Sequence, residues 1–433
     1  MKEWRKKIRQ IFVLRLAVIL TGSLISFLAF AVTALASNGE IQVDIAENEK
    51  LEDGYYKIDS NGTKTAGTES DYNVHYDSAT HTLTLKDVKF HTSKECGIKF
   101  NYSGTSGAAV IELIGENEIT SKTYGIKADK KGSLPSTDAD VEASLTIKGN
   151  GTLKINSVWG IQATNLTIDG SKLALTTGGH TALNISRDLV ICNGDIITHD
   201  AGDGGDFYVD RSVRIIDSKI DMSGIQVELP SIYVDNSNCP ENLLIKPALV
   251  IERSNLTIGG LADSSYGFSA YVFYGGAEIS DSVLEAVNKR AGICVADGTL
   301  KISGTSTVNT ETELAVRGLE PVKIGEGVEI TGARADGKPL VNNGLICMPD
   351  SITENELNGT LHYYGGGTVK LGDKTYHSVR FDLQDGTPLD EIGTQWILDG
   401  NKAAAPSDPQ KGGASFTGWT ESGGVYGTLK KIP

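Results

Sequence analysis

The sequence predicts an all-β protein: a right-handed parallel β-helix of about ten rungs, followed by a small β-rich module. Three observations support this fold. Apolar pairs of the form Leu-x-Ile or Val-x-Ile recur along the chain, and another apolar residue follows each pair five or six residues later. The pairs return about every 22 residues, and a Gly followed by an apolar residue precedes most of them. No stretch has helical periodicity, so each repeat contains about three short strands and must stack on its neighbours.

The gap after each apolar pair predicts one tight bend that repeats in every rung. Its third residue is small in the five middle copies: Ser171, Gly194, Ser218, Ser254 and Ser282. Because a fixed gap means a fixed bend, these residues should stack above one another along the rod. The following apolar pairs should point inward in adjacent rungs: Leu145/Ile147, Leu166/Ile168, Leu189/Ile191 and Val213/Ile215.

Residues 1–36 are predicted to be a secretory signal peptide. A basic start that includes Lys2 and Arg5 precedes an apolar stretch, which begins at Leu16 and ends in the small-x-small pattern Ala34-Leu35-Ala36. Because the apolar stretch is long, an uncleaved membrane anchor is the alternative. No other segment is apolar enough to cross a membrane. We therefore expect a secreted protein of the cell envelope.

Charge and cysteine content exclude several classes of partner and of fold. The formal net charge is −15 at pH 7, and such a surface repels nucleic acid and anionic membranes. The five cysteines cannot all pair with one another. Cys192 and Cys294 fall in repeat strands, where Cys acts as a small hydrophobic residue. We expect a monomer that is stabilised by its apolar core and not by disulfides.

The repeat period divides the mature chain into four segments. Residues 37–75 are polar and should cap the first rung, since an open solenoid end exposes strand edges. The rungs occupy residues 76–345, and residues 346–375 are predicted to be a linker. Two excursions, 129–144 and 228–248, interrupt the period, and such insertions leave a solenoid as loops on one flank. Residues 376–433 form the separate C-terminal module.

The C-terminal module has apolar residues of its own outside the repeat period. Its characteristic positions are Val379, Phe381, Gly386, Gly400, Pro406, Pro409, Gly412, Phe416, Gly418 and Trp419. This pattern resembles the Listeria–Bacteroides repeat, also called the internalin B-repeat, although Asp385-Gly386 stands where that family has a double Gly. The resemblance implies a β-grasp-like module of a bacterial surface protein. We expect it to fold independently of the rod, with Trp419 buried against Phe381 or Val379.

The rod also resembles a known group of proteins. Its first strands contain Thr82-Leu83-Thr84-Leu85, and G-I-x-A and L-T-I-x-G patterns recur over most of residues 70–345. These features are similar to those of clostridial secreted β-helix proteins known as carbohydrate-binding domains. The resemblance implies binding of pectic or cellulosic polysaccharide with bound calcium.

Two groups of aromatic residues are predicted to bind carbohydrate. The residue before the repeating Gly is aromatic in three copies: Tyr124, Trp159 and Tyr266. A second group contains Tyr271, Phe273 and Tyr274, which are too many aromatic residues for one inward face. Exposed aromatic rings can stack on sugar rings. The alternative is a lateral stack that only shields a turn.

One acidic segment is predicted to bind calcium. It contains four carboxylates separated by glycines: Asp200, Asp203, Asp206 and Asp210. Glycines allow the chain to curl so that oxygen ligands converge on a Ca²⁺ ion. The spacing is not that of an EF-hand, and a solvated turn between rungs is the alternative.

No catalytic residue is predicted. The chain lacks the paired carboxylate motifs of β-helix glycosidases, and Arg187, Arg211 and Arg214 lie near acidic residues without a defined motif. The expected function is non-catalytic binding of an acidic or cellulosic polysaccharide, or of a cell-wall or host surface. An adhesin or structural stalk that binds protein, and a calcium-dependent polysaccharide lyase or hydrolase, are the alternatives. An outward aromatic row would favour the first, a bare polar surface the second, and three acidic groups beside a free Arg or Lys the third.

Overall fold

The structure is a computed structural model. It describes residues 41–46, 49–104, 106–129, 142–200, 206–223, 230–259, 268–286 and 291–310, and short strands beyond these up to residue 400. The predicted signal peptide lies outside the described residues. The described elements are β-strands, apart from one 3₁₀ turn at Glu241–Leu243.

Five short strands open the described chain: β1 (Ile41–Ile45), β2 (Glu49–Lys50), β3 (Gly54–Ile58), β4 (Lys64–Ala66) and β5 (Val74–Asp77). The first half of the rod then contains β6 (Thr82–Lys86), β7 (Lys89–His91), β8 (Cys96–Tyr102), β9 (Ser106–Ile114), β10 (Glu116–Thr120), β11 (Tyr124–Ala128), β12 (Glu142–Lys148), β13 (Thr152–Ser157), β14 (Trp159–Ala163), β15 (Asn165–Asp169), β16 (Lys172–Thr177), β17 (Leu183–Ile185), β18 (Asp188–Cys192), β19 (Asp195–Asp200) and β20 (Phe207–Val209). The second half contains β21 (Ser212–Ile216), β22 (Lys219–Met222), β23 (Ile232–Val234), β24 (Leu249–Glu252), β25 (Asn255–Ile258), β26 (Phe268–Val272), β27 (Ala277–Ser280), β28 (Val283–Ala286), β29 (Ala291–Val295), β30 (Leu300–Ser303), β31 (Thr307–Thr310), β32 (Leu314–Gly318), β33 (Lys323–Ile324) and β34 (Glu329–Gly332). The last strands are β35 (Val341–Asn342), β36 (Leu345–Ile346), β37 (Thr368–Leu371), β38 (Lys374–Val379) and β39 (Gln395–Leu398).

The rod strands form three sheets, and the chain passes through the sheets in a fixed order. Sheet A has the order β2-β1-β8-β11-β14-β17-β20-β23-β26-β29-β32. Sheet B runs β33-β30-β27-β24-β21-β18-β15-β12-β9-β6-β5-β3-β4, and sheet C runs β34-β31-β28-β25-β22-β19-β16-β13-β10-β7. From β6 to β31 each strand pairs in parallel with the strand three places further along the chain, so one turn contains one strand of each sheet. The predicted all-β parallel β-helix is confirmed, whereas its handedness and number of rungs stay predictions.

The predicted inward pairs form part of the core. In sheet B, Leu145 pairs with Leu166 and Ile147 with Ile168, and the register continues through Leu189/Ile191 to Val213/Ile215. All eight side chains are at most 1% exposed. Aliphatic residues therefore stack on identical positions from rung to rung, which confirms the prediction.

The tight bend between sheets B and C is the same in successive rungs. A residue with positive φ opens the bend in these rungs: Asp87, Asn193, Asp217, Arg253 and Asp281. Positive φ strains a side chain that is not Gly, and Asn and Asp tolerate it best. Gly170 occupies the equivalent place in another rung, with φ at 69°. In the rungs from Gly170 to Asp281 the residues of the bend are thus a left-handed residue followed by a small one, whereas Val88 follows Asp87 in the first rung.

The small residues of this bend form a hydrogen-bonded column that we call the serine ladder. The backbone N–H of Ser218 donates to the Oγ of Ser254 at 3.0 Å, and that of Ser254 donates to the Oγ of Ser282 at 3.1 Å. The Gly194 N–H donates to Ser218 Oγ at 3.1 Å. Each serine hydroxyl in turn donates to a carbonyl of its own rung, as Ser254 does to Glu252 at 2.8 Å. The predicted stacking of the bend residues is confirmed, and the hydroxyls satisfy buried backbone groups.

At the opposite corner, between sheets C and A, the first rungs have no room for a side chain. A Cβ at Gly97 would lie 2.3 Å from the Cγ2 of Ile119, and one at Gly125 would lie 2.2 Å from the Cγ2 of Ile155. The repeating Gly is therefore required by close approach of the strands. In the rungs of β17, β20 and β23 the same position holds Ala182, Asp206 and Ser231, whereas in β29 it is a glycine again, Gly292.

Antiparallel strands cover the first rung. Strand β1 pairs antiparallel with β8, and β5 pairs antiparallel with β6. The buried hydroxyl of Tyr76 donates to the carbonyl of Ile41 at 3.1 Å and so connects the two edges. These strands form hydrogen bonds with backbone groups of the first rung that could otherwise pair with a strand of another chain.

Near the C-terminus, β37, β38 and β39 form a separate antiparallel sheet. Strand β37 lies within the segment predicted to be a linker, so this sheet begins earlier than the predicted module. Leu371 pairs with Lys374, and the Gly-Asp dipeptide between them is a two-residue hairpin signal that the sequence analysis missed. Val379 ends β38, while Phe381, Phe416 and Trp419 lie outside the described residues.

Burial of Ile191 predicts a large loss of stability when a charge is introduced there. Ile191→Asp should lower the free energy of unfolding by several kcal/mol, because the carboxylate would be buried unpaired between apolar rungs. Val190→Asp is the matched control, since Val190 is only half-buried and pairs with Arg214 on the outer face. Denaturant unfolding followed by circular dichroism measures both. Equal losses in the two variants would contradict the inward position of Ile191.

The serine ladder predicts a specific cost for removing one hydroxyl. Ser254→Ala leaves the buried N–H of Ser218 without its acceptor, which should cost about 1–3 kcal/mol of unfolding free energy. Ser223→Ala, at an exposed serine that bonds only to Asp221, should cost less than about 0.5 kcal/mol. The same unfolding measurement compares them, and a Ser254→Ala protein as stable as the wild type would exclude a structural role for the ladder.

Candidate functional site

The outer face of sheet A presents one residue per rung in register, and we call this set the central row. From β8 to β26 its members are Lys99, Lys127, Gln162, Asn184, Tyr208, Tyr233 and Tyr271. The register continues with Cys294 in β29 and Arg317 in β32. The residues on either side of each member point into the core, as Ile126 and Ala128 do beside Lys127, both at 0% exposure. Neighbouring members lie one strand spacing, about 4.8 Å, apart. The row thus changes along the rod from cationic through amide to aromatic residues.

The aromatic part of the central row, which we call the tyrosine row, contains Tyr208, Tyr233 and Tyr271. The ring centroids of Tyr208 and Tyr233 are 5.4 Å apart at an interplanar angle of 75°, and those of Tyr233 and Tyr271 are 5.7 Å apart at 61°. Such edge-to-face contacts are favourable between aromatic rings. Tyr233 is buried, whereas Tyr208 and Tyr271 are half-buried. The two outer rings are therefore more exposed than the middle ring.

Phe273 and Tyr274 extend the tyrosine row sideways. The Phe273 ring lies 5.5 Å from that of Tyr271 and 5.6 Å from that of Tyr274. Asn236, which is fully buried, holds this segment: it donates to the carbonyl of Tyr274 at 2.8 Å and accepts from the N–H of Tyr274 at 2.8 Å. The excursion after β23 thereby fixes the backbone that presents both rings.

A second aromatic group stands at the start of the sheet A strands. Trp159 lies between Tyr124, with centroids 6.3 Å apart, and His180, with centroids 4.4 Å apart and planes at 11°. The ammonium of Lys127 is 4.3 Å from the Tyr124 centroid. Because the rings face one another along the rod, they present mainly their edges to solvent. This is the arrangement of a lateral stack, and a sugar could reach the face of Trp159 only if the exposed His180 moved.

Two amides separate the lysines from the tyrosines in the central row. Gln162 is 8% exposed, and no described residue forms a hydrogen bond with its Oε1. Asn184 is half-buried beside it, one rung further along. A buried amide oxygen without a donor is costly unless a ligand or water satisfies it. The amides can therefore form hydrogen bonds with a ligand that lies along the row.

Two carboxylates border the tyrosine row. Asp210 follows β20 and Asp235 follows β23; since Val209 pairs with Val234, the two carboxylates occupy equivalent places in adjacent rungs. The hydroxyl of Tyr208 donates to Asp235 Oδ2 at 2.9 Å. Burial, together with the charge of Asp235, raises the pKa of Asp210 to about 7. Burial and the hydrogen bond to Asp235 raise the pKa of Tyr208.

An ion pair lies next to these carboxylates. Arg211 binds both carboxylate oxygens of Asp188, to one of them through Nε at 2.7 Å. Burial raises the pKa of the nearby Cys239 thiol, the charges of Arg211 and Arg187 lower it, and those of Asp188 and Asp210 raise it. Charged groups of both signs therefore lie close together next to Asp210 and Asp235.

The structure separates the carboxylates that were predicted to bind calcium together. Asp200 ends β19, Asp203 lies outside the described residues, and Asp206 is fully buried at the start of β20. Asp210 lies beyond the other end of β20, about 13 Å away along an extended strand. Asp206 and Asp210 therefore do not converge on one ion. Among the described residues no group of three or more His, Cys, Asp or Glu side chains is placed to hold a metal, and calcium binding in the segment between Asp200 and Asp210 stays a prediction.

The sequence analysis missed several members of this face. Of the predicted aromatic residues, the structure brings Tyr271, Phe273 and Tyr274 together and places Tyr124 and Trp159 in the lateral stack; Tyr266 lies outside the described residues. Tyr208 and Tyr233 were not predicted. The signal for them is an apolar–Tyr–apolar triplet that recurs at equivalent places, Phe207-Tyr208-Val209 and Ile232-Tyr233-Val234. Alternation within a strand points the middle residue outward.

Comparisons with protein-family models, with curated proteins and with solved structures found no match to this chain. The two resemblances noted in the sequence stay expectations. In the part of the chain that the structure describes, no helix is long and apolar enough to span a membrane.

The raised pKa of Asp210 predicts a dependence of stability on pH. In the unfolded chain this carboxyl ionises near its ordinary pKa of 3.8, but in the folded protein it keeps its proton up to about pH 7. Wild-type stability should therefore fall as the pH rises between these values. Asp210→Asn removes this loss, so the variant should gain stability relative to the wild type over the same range, by at most about 4 kcal/mol.

Asp217→Asn is the control for this measurement, with the opposite sign. The hydrogen bond from Arg253 lowers the pKa of Asp217, so its contribution is present above the unfolded pKa and is lost as the pH falls. Thermal unfolding of both variants across the pH range tests the assignment. A difference between Asp210→Asn and wild type that does not change with pH would contradict the raised pKa.

Proposed function

We propose that this protein is a secreted, non-catalytic polysaccharide-binding protein of the cell envelope and that the tyrosine row is its binding surface. The observation that supports this is the run of three in-register tyrosines on the outer face of one sheet. A structural stalk or protein-binding adhesin does not require such a row. Aromatic rings present a large, rigid surface to a sugar at low cost in side-chain entropy.

The geometry favours a glycan that lies along the rod. Tyr208 and Tyr271 are two strand spacings apart, roughly 9.6 Å. This is comparable to the disaccharide repeat of an extended β-1,4-linked chain, so alternate sugars can stack on the two accessible rings. The amides of Gln162 and Asn184 continue the same line and supply donors and acceptors for hydroxyl groups. A cellulosic chain suits the tyrosines, and an acidic chain would meet Lys99 and Lys127 at the other end of the central row.

The proposal does not include cleavage of the glycan. Three acidic residues, Asp188, Asp210 and Asp235, do lie around Arg211, which is the kind of arrangement that a lyase would use. However, Arg211 binds Asp188 with both ends of its guanidinium and is not available as a base. Asp235 accepts hydrogen bonds from Tyr208 and from Ser237 Oγ at 2.6 Å. These contacts fit structural roles for the charges.

The proposal predicts that single tyrosine substitutions weaken binding. A glycan array identifies the polysaccharide, and isothermal titration then measures the variants. Tyr208→Ala and Tyr271→Ala should each weaken binding about tenfold, as expected for an aromatic anchor.

Tyr72→Ala is the matched control for these variants. Tyr72 belongs to another aromatic cluster with Tyr55, centroids 5.0 Å apart, and His75, at the capped end of the rod and not on the outer face of sheet A. This variant should bind as the wild type does. Wild-type binding by both tyrosine-row variants, or binding of no glycan at all, would exclude the proposed function.

A further inference from the structure

The charges beside the tyrosine row bear on the class of glycan that it binds. We propose that the tyrosine row takes a polysaccharide of amino sugars with free, protonated amines, and that one ammonium group is seated at the paired carboxylates of Asp210 and Asp235. This inference rests on the proposed function and names the ligand of the same surface.

Asp210 is the member of the pair that lacks a hydrogen-bond donor. It is 9% exposed, and no described residue donates a hydrogen bond to its carboxyl group. Asp235, which accepts hydrogen bonds from Tyr208 and Ser237, lies one strand spacing away, about 4.8 Å between backbones. Like charges at this distance repel each other unless a cation or a proton intervenes. A ligand ammonium would take the place of the proton that Asp210 otherwise keeps up to about pH 7.

Neighbouring cations do not already fill this role. Arg211, the residue next to Asp210 in the chain, is bound to Asp188. The outcome is visible at Asp210, whose pKa is raised by burial and by Asp235. A guanidinium in contact with the carboxylate would lower that pKa. The carboxylates of Asp210 and Asp235 can therefore bind an added cation.

The carboxylate pair lies next to the aromatic rings. Asp235 is hydrogen-bonded to Tyr208, and the N–H of Phe273 donates to the carbonyl of Val234 at 3.0 Å, which places Phe273 one rung beyond Asp235. A sugar stacked on Tyr208 or Tyr271 would thus bring its substituents to the carboxylates. An ammonium there also gains attraction from aromatic faces. A neutral hydroxyl would gain less, and a uronate carboxylate would be repelled.

The lysines of the central row are too far away to oppose this binding. Lys127 is three strand spacings from Tyr208, roughly 14 Å, which exceeds the Debye length of about 8 Å at physiological ionic strength. The net charge of −15 also attracts a polycation to the protein as a whole. The control variant must therefore distinguish this general attraction from binding at the carboxylate pair.

The test compares three soluble hexamers by isothermal titration on the intact protein at mildly acidic pH. They are β-1,4-linked glucosamine, β-1,4-linked N-acetylglucosamine and cellohexaose. We expect the glucosamine hexamer to bind at least about tenfold more tightly than the other two, as one charge-assisted hydrogen bond provides. The preference should decrease as salt is added.

Variants assign the preference to the carboxylate pair. Asp235→Asn should remove the preference for the glucosamine hexamer over its N-acetylated form, and Asp210→Asn should reduce the preference as well. Glu285→Gln is the control, because Glu285 is an exposed acid on sheet C and its loss changes the net charge equally. It should leave the preference unchanged.

Two outcomes would overturn the inference and leave the proposed function standing. One is equal affinity for the glucosamine hexamer and the other hexamers, with binding still sensitive to Tyr208→Ala. The other is an equal effect of Asp235→Asn and Glu285→Gln, which would mean general attraction only. Failure of every hexamer and of every polysaccharide to bind would instead remove both the inference and the proposed function.

Discussion

The architecture depends on the register between successive rungs, and the tight bend between sheets B and C fixes that register. In each middle rung a residue of positive φ turns the chain, and the next residue accepts a hydrogen bond from the backbone of the rung before. Buried N–H groups at this corner have no partner within a sheet, so the hydroxyl of a serine such as Ser254 accepts their hydrogen bond. A slip by one residue would break the ladder and turn the whole apolar set outward. Stacked aliphatic residues inside and stacked tyrosines outside both follow from this constraint.

The sequence predicts the core well because the core repeats. The apolar pairs and the small bend residues recur at a constant period. Each rung needs an apolar side chain at the same inward position, as Ile168 and Ile191 illustrate. The outer face does not repeat in this way, because a position in contact with solvent tolerates many residue types. Lys127, Asn184 and Tyr208 occupy the same position in different rungs. Sequence patterns therefore identified Tyr271 within an unusual aromatic run but missed Tyr233, which stands alone between two aliphatic residues.

The acidic residues show why proximity in sequence misleads in this fold. Asp206 and Asp210 are close along the chain, yet a strand lies between them and they sit at different corners of the rung. Asp210 and Asp235 are one period apart and occupy adjacent places because parallel pairing superposes equivalent positions. In a β-helix the neighbours of a surface residue are found one turn earlier and one turn later.

The glycine corner between sheets C and A makes the two halves of the rod unequal in their capacity to evolve. Where a Cβ at Gly97 or Gly125 would collide with the isoleucine below, a duplicated segment can be inserted only if it brings its own glycine. At Ala182, Asp206 and Ser231 the corner accepts side chains, so the rod can gain or lose whole turns there with fewer restrictions. Tyr208 and Tyr233 of the tyrosine row lie in these permissive rungs. Duplication of a single turn would lengthen the row by one ring, which is a simple genetic route to a longer aromatic surface.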